Sequence, residues 1–119
     1  MKVSAIIPAF NEAERIAAVL APLTSSPAVD EVIVVDDGST DATSAEAERF
    51  GVRLVRLPEN RGKAAAMAAG VEEARGDVLL FLDADLTGLT PSHIATMVDA
   101  YRAGDADVVI GVFCDGRLG

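Results

Sequence analysis

The 119-residue sequence predicts an α/β fold, a doubly wound and mostly parallel sheet in three layers, and three observations carry that prediction. β-type and helix-type runs alternate through the whole length, giving about four βα units and a fifth strand. The apolar run between Asp77 and Asp83 is uncharged on both faces, as strands inside a parallel sheet are. Half of the residues are hydrophobic but only 4% are aromatic and none is Trp, so the core must be built of Val, Ile, Leu and Ala. Right-handed crossovers then place helices on both faces of the sheet. One domain is expected, covering residues 1–119 and burying roughly two thirds of its unfolded surface.

In chain order, Val3-Ser-Ala-Ile-Ile-Pro8 reads as the first strand, stopped by Pro8. Asn11 is expected to cap the first helix with Glu14 completing a capping box, and Ile16, Val19, Leu20 and Leu23 follow at helical spacing. Glu31 to Asp37 is a second buried strand, and Gly38-Ser-Thr-Asp41 turns into a helix reaching about Phe50, capped by Thr40 or Asp41. Val52 to Leu57 alternates apolar and basic residues, the pattern of an edge strand. Lys63 to Arg75 is helical by propensity, with small side chains that let it lie close on the sheet. After the fourth strand, Thr90 and Pro91 open a helix with Ile94, Met97, Val98 and Tyr101 in one stripe, and Asp107 to Phe113 is the last strand.

The formal charge of −9 argues against nucleic acid and anionic lipid as partners, because phosphate backbones are held by an excess of Lys and Arg. An acidic chain can still bind an anionic nucleotide through backbone N–H groups and a metal ion. Cys114 is the single cysteine, which fits a reducing compartment and offers no nucleophile pair. The N-terminus lacks the apolar core of a signal peptide and no run approaches a membrane span, so a cytoplasmic location is expected, with any membrane association supplied by the acceptor or a further C-terminal region.

Polar residues gather at three predicted strand ends: Pro8 to Glu12, Asp36 to Asp41, and Asp83 to Asp85. Ligands of doubly wound sheets bind beyond those ends. In an extended backbone Asp83 and Asp85 would face one pocket about 7 Å apart, a spacing that suits a divalent cation holding a diphosphate. Several of these residues also have plainer readings. Glu12 can complement a helix dipole, Asp36 can be a loop acid, and His93 falls in an exposed first turn. Lys63 sits at a helix N-terminus, where a cation is unfavourable unless an anion lies nearby.

Pro8-Ala-Phe-Asn-Glu12, Val35-Asp-Asp-Gly-Ser-Thr-Asp41, Asn60-Arg-Gly-Lys63 and Phe81-Leu-Asp-Ala-Asp-Leu86 together resemble the nucleotide-binding half of family-two glycosyltransferases, in the family's order. The resemblance implies the GT-A fold and a UDP-sugar donor bound through an Asp-x-Asp motif with Mg2+ or Mn2+. It implies that Pro8, Ala9, Phe10 and Glu12 lie along the nucleoside, that Asp37 contacts uracil, and that Lys63 lies near the nucleotide. Asp83 would serve ribose and metal, and Asp85 is the preferred direct ligand. Within the family, Arg-Gly-Lys before an Ala-rich helix looks most like enzymes that glycosylate polyprenyl phosphates or 3-phosphoglycerate. The family's acceptor site comes from a further segment after the last strand, so no catalytic base is assigned. The chain then reads as a truncated piece or as a short form whose exposed sheet edge pairs with a second copy. The competing function is a module that holds a nucleotide sugar without transferring it. An oxidoreductase would need Gly-x-Gly-x-x-Gly where Pro8 to Glu12 stands.

Overall fold

A computed structural model describes residues 2–104 and 108–110, with side chains described from Lys2 to Ala100. Its elements are β1 (Val3–Ala9), α1 (Ile16–Ser25), β2 (Glu31–Asp36), α2 (Thr43–Glu48), β3 (Arg53–Arg56), α3 (Lys63–Glu73), β4 (Val78–Phe81), α4 (Pro91–Gly104) and β5 (Val108–Ile110). The sheet order is β3-β2-β1-β4-β5 and every neighbouring pair is parallel. The α/β, doubly wound architecture is therefore the one the sequence predicts. The chain first winds from β1 out to β3, then returns to the other side of β1. The strand order thus reverses between β1 and β4, the crevice where open α/β sheets bind ligands.

Strand alternation divides the core. Ala5, Ile7, Val32, Val34, Val78 and Leu80 face one side and pack with Ile16, Val19, Leu20 and Leu23 of α1, Ala47 of α2, and Ile94 and Val98 of α4. Ile33 and Val35 face the other side, against Ala66 of α3. Small residues do let α3 lie close: a Cβ on Gly70 would overlap the Ile6 side chain. The first three connections share one hand, since α1 and α2 lie on one face as the chain steps one way and α3 on the other as it steps back. The fourth does not follow the right-handed expectation, because α4 packs beside α1. Leu86 and Leu89, buried in α1's core, carry the chain there from the end of β4.

Two predicted helix starts differ from those found. Asn11 does not cap α1; it sits at φ 52°, accepts the Thr40 N–H on its Oδ1 at 2.9 Å and donates its own N–H to Ser39 Oγ at 2.9 Å. Drawn across to the loop after β2, it leaves α1 to begin at Ile16, where the N–H groups of Arg15 and Ile16 converge on the Glu12 carbonyl. Glu14 is exposed and no capping box forms. α2 is shorter than predicted, and Asp41 accepts the Thr43 N–H just ahead of it at 2.9 Å. Thr90 behaves as expected: its Oγ1 accepts the His93 N–H at 3.2 Å, and His93, half-buried rather than exposed, accepts the Thr90 N–H on Nδ1 at 3.2 Å. β3 is the edge strand, with Arg53 and Arg56 exposed on it. Cys114, the Tyr101 side chain and most of the predicted last strand lie outside the described residues. Among those described, no helix is long and apolar enough to cross a membrane.

Candidate nucleotide-sugar site

Pro8 does not stop β1, which runs one residue further and keeps Pro8 in register with Val35. Bonding sides alternate along a parallel strand: Ile6 O accepts Leu82 N–H on the β4 side at 3.1 Å, and Ala9 O accepts Asp37 N–H on the β2 side at 2.8 Å. By that alternation Pro8 faces the β4 side, where β4 has already ended at Phe81. A residue without an N–H leaves no gap in the ladder there. The chain then delivers Phe10 to the surface, 44% exposed.

At the end of β2 two neighbouring acids go different ways. Asp36 is buried and used by its own loop, accepting the Ser39 N–H at 2.9 Å and the Ser44 hydroxyl, which bears out the plainer reading of it. Asp37, only 3% exposed, reaches across to the segment before α3 and accepts the N–H groups of Arg61 at 2.8 Å and Gly62 at 2.9 Å, one on each oxygen. Gly38 follows at φ 73°, and any side chain there would overlap the backbone of Glu59 and Asn60. The close approach of these two loops therefore requires glycine.

β4 ends at Phe81, so Asp83 and Asp85 stand in the turn beyond it and not on extended backbone as predicted. The Leu86 N–H closes the turn on the Asp83 carbonyl at 3.4 Å, and Leu82, Ala84 and Leu86 are all buried, which leaves the two aspartates on the solvent side. Asp83 is half-buried and forms an ion pair with Lys63 Nζ, the anionic neighbour that a lysine at a helix N-terminus needs. Asp85 is exposed and makes no hydrogen bond or ion pair among the described residues. Glu12 holds Arg15 in an ion pair at 2.8 Å, and the Arg15 guanidinium is raised in pKa first by Glu12 and more weakly by the charge of Asp85.

An open cleft of about 330 Å³ lies over the reversal between β1 and β4, and all eight residues singled out in the sequence line it: Pro8, Ala9, Phe10, Glu12, Asp37, Lys63, Asp83 and Asp85. Four lining residues were not singled out. Asn60, Gly62 and Ala84 belong to motifs already noticed, and Ala66 and Ala84 carry no chemical signal of their own and line the cleft through their smallness. The volume is at the lower end for small-molecule sites. Its ionisable lining is four carboxylates and one lysine, so a diphosphate would be repelled unless a cation accompanied it. Carboxylate oxygens are the donors that Mg2+ and Mn2+ prefer. Among the described residues no three His, Cys, Asp or Glu side chains are grouped to hold a metal. A cation at Asp83 and Asp85 would thus complete its shell with oxygens of the ligand or of water.

Residues 4–116 match the model of glycosyl transferase family 2. The chain belongs to that family. It is 36% identical over 93% of its length to dodecaprenyl-phosphate galacturonate synthase of Rhizobium johnstonii, covering 36% of that protein. To dolichol-phosphate mannosyltransferase of Pyrococcus furiosus it is 34% identical over 93% of the chain and 33% of the relative. The structure superposes on glucosyl-3-phosphoglycerate synthase of Mycobacterium tuberculosis, crystallised with Mn2+, UDP and glucosyl-3-phosphoglycerate, with a TM-score of 0.78 and 31% identity. That likeness covers 87% of this chain and 40% of the synthase. The same enzyme crystallised with Mn2+ and UDP-glucose gives 0.79 and 31% over the same shares. These neighbours place the fold among GT-A glycosyltransferases. The chain spans about a third of the length of the curated relatives it matches.

Proposed function

We propose that this member of glycosyl transferase family 2 binds a UDP-sugar together with Mg2+ or Mn2+ in the cleft at the β1–β4 reversal, as the donor half of a sugar transfer to a phosphorylated acceptor. The carrying observation is the acid-rich cleft itself, in a family whose solved neighbour holds Mn2+ and UDP. Asp85, exposed and unpaired among the described residues, is the direct carboxylate ligand. Asp83 serves the ribose or a metal-bound water once Lys63 leaves it, and Lys63 turns to the diphosphate. Pro8, Ala9 and Phe10 form the wall along the nucleoside, the exposed Phe10 ring offering an apolar face to the base. Asp37 keeps a free lone pair on each oxygen, able to accept the imide N–H of uracil that cytosine lacks.

Transfer breaks the bond between the anomeric carbon and the diphosphate, and the electron pair leaves with UDP. A bound divalent cation stabilises the charge that builds on the leaving diphosphate. An acceptor that attacks through a phosphate oxygen is already ionised at neutral pH and needs no base, whereas one that attacks through a hydroxyl must give its proton to a base. The acceptor is a polyprenyl phosphate or a phosphorylated small molecule such as phosphoglycerate, the classes named in its relatives. Titration calorimetry tests the donor site: UDP should bind with Mn2+ and lose most of its affinity in chelator. Asp85→Asn should remove the metal dependence, weakening binding by about 1.5–3 kcal/mol, tenfold or more. Equal affinity with and without chelator would sink the metal site. Donor binding without product on a panel of phosphate acceptors would instead identify a binding module.

A further inference from the structure

Asp37 is positioned unlike a residue whose main task is to meet a ligand. It is 97% withdrawn from solvent, being 3% exposed, and each oxygen already accepts a backbone N–H, from Arg61 and from Gly62. The two N–H groups belong to the last residues before α3. Gly62 holds φ 99° and its carbonyl accepts the Ala66 N–H at 3.1 Å, opening the helix whose first residue is Lys63. The contact is reinforced next door, where Gly38 lies against the backbone of Glu59 and Asn60. Asp37 is itself tied to β1 by its N–H to Ala9. One buried residue thus joins the end of β1 through its backbone N–H and the start of α3 through its carboxylate, at the end of β2, and all three line the cleft.

We infer that Asp37 is a positioning residue that aims Lys63 into the cleft, so that its contribution to donor affinity is felt at the diphosphate and not only at the base. Charge-assisted bonds to two successive N–H groups fix both the direction of the peptide before Lys63 and the pitch of the first turn of α3. Without them the segment loses its anchor, and Lys63 becomes a solvated cation with many rotamers in place of one aimed at the cleft. Base reading alone predicts the opposite pattern, in which a ligand lacking uracil is indifferent to residue 37. The inference rests on the proposed metal-dependent donor site.

The test uses two probes on the chain: Mn2+ with UDP, and Mn2+ with inorganic diphosphate, which has no base to read. Asp37→Ala should weaken both tenfold or more, and Asp37→Asn, which keeps the size and one acceptor oxygen, should weaken both by less. In a Lys63→Met background, Asp37→Asn should cause no further loss of diphosphate affinity, a non-additivity that general damage to the fold would not produce. Amide exchange at Arg61 and Gly62 should quicken in Asp37→Asn while exchange in β1 and β2 stays slow. Diphosphate affinity unchanged in both Asp37 variants, with only UDP affinity lost, would overturn the inference. So would equal losses with and without Lys63. Failure of the unaltered chain to bind either probe would instead remove the donor-site reading and this inference with it.

Discussion

The two ends of the sheet use the same residue types for opposite ends. At the amino end Asp30 accepts the Val3 N–H at 2.7 Å, Asp77 accepts the Lys2 N–H at 3.0 Å, and Glu31 accepts both the Ser4 hydroxyl at 2.5 Å and the Arg75 N–H at 2.6 Å. At the carboxyl end Asp36, Asp37 and Asp41 are spent in the same way, but Asp83 meets only the Lys63 side chain and Asp85 meets none among the described residues. Size does not mark the site. A hollow of about 600 Å³ near the amino end, bordered by Asp30, Glu31 and Arg53, is larger than the 330 Å³ cleft. Its acids are already committed to backbone and its Arg53 to Glu73 at 3.0 Å. What separates the two hollows is unspent carboxylate, which a cation and its ligand can satisfy; the charge left unpaired in the amino-end hollow, among the described residues, is the Arg75 guanidinium, which cannot hold a cation.

The comparison is broken most severely at Gly38. Gly38→Ala forces a side chain into the backbone of Glu59 and Asn60 and into a left-handed conformation. Strain and overpacking together cost about 2–5 kcal/mol. Because the displaced loop is the one that Asp37 anchors, both the melting temperature and Mn2+–UDP affinity should fall. A variant that melts as the parent does and binds as tightly would show that the two loops do not depend on each other.

A change at the other end should separate those readouts. Ser4 is wholly buried between Glu31 and the Gly76 N–H, which it accepts at 2.8 Å. Ser4→Ala leaves that N–H unpaired and strips Glu31 of one donor, a loss of about 1–3 kcal/mol. Thermal melting should drop by roughly 3–18 °C with donor affinity unchanged. A parallel loss of affinity would mean that the two ends are coupled through the strands, and the division between them would not stand.

The fold was legible because periodicity survives any detail of loop geometry: the stripe Ile16, Val19, Leu20, Leu23 and the doubly apolar β4 each admit one burial pattern. The membership of the cleft was legible for a related reason, since parallel strands deliver their following residues to one edge. The local chemistry was less so. Asn11 has the side chain of an N-cap, but Ser39 and Thr40, distant in sequence, compete for it and win. Asp83 and Asp85 look like strand residues, and the alternate burial of Leu82, Ala84 and Leu86 would suit a strand as well, yet β4 ends at Phe81 and the Leu86 N–H turns back to the Asp83 carbonyl. The placement of α4 beside α1 was equally hidden, because the handedness of a crossover depends on the path of a loop and not on the helix sequence.

The smallest expected effect is a pH dependence confined to the amino end. Burial pushes the Glu31 carboxyl up, but the Ser4 hydroxyl, the Arg75 N–H and the charges of Arg53 and Arg75 together hold it below its ordinary value. A carboxyl depressed in the folded state stabilises the fold above its unfolded pKa of about 4.3 and loses that contribution as pH falls through the lower folded value. Glu31→Gln cannot titrate and keeps a hydrogen-bond acceptor for Ser4. At neutral pH the parent should be the more stable, and its advantage should shrink as urea midpoints are followed from pH 5 downward. Water screens this half-exposed group, so the gap should be small and should narrow further in high salt. A gap that stayed constant from neutral to acid pH would mean that Glu31 acts only as an uncharged acceptor. The acids of the amino end would then be holding the fold by geometry alone, with their charge serving no purpose there.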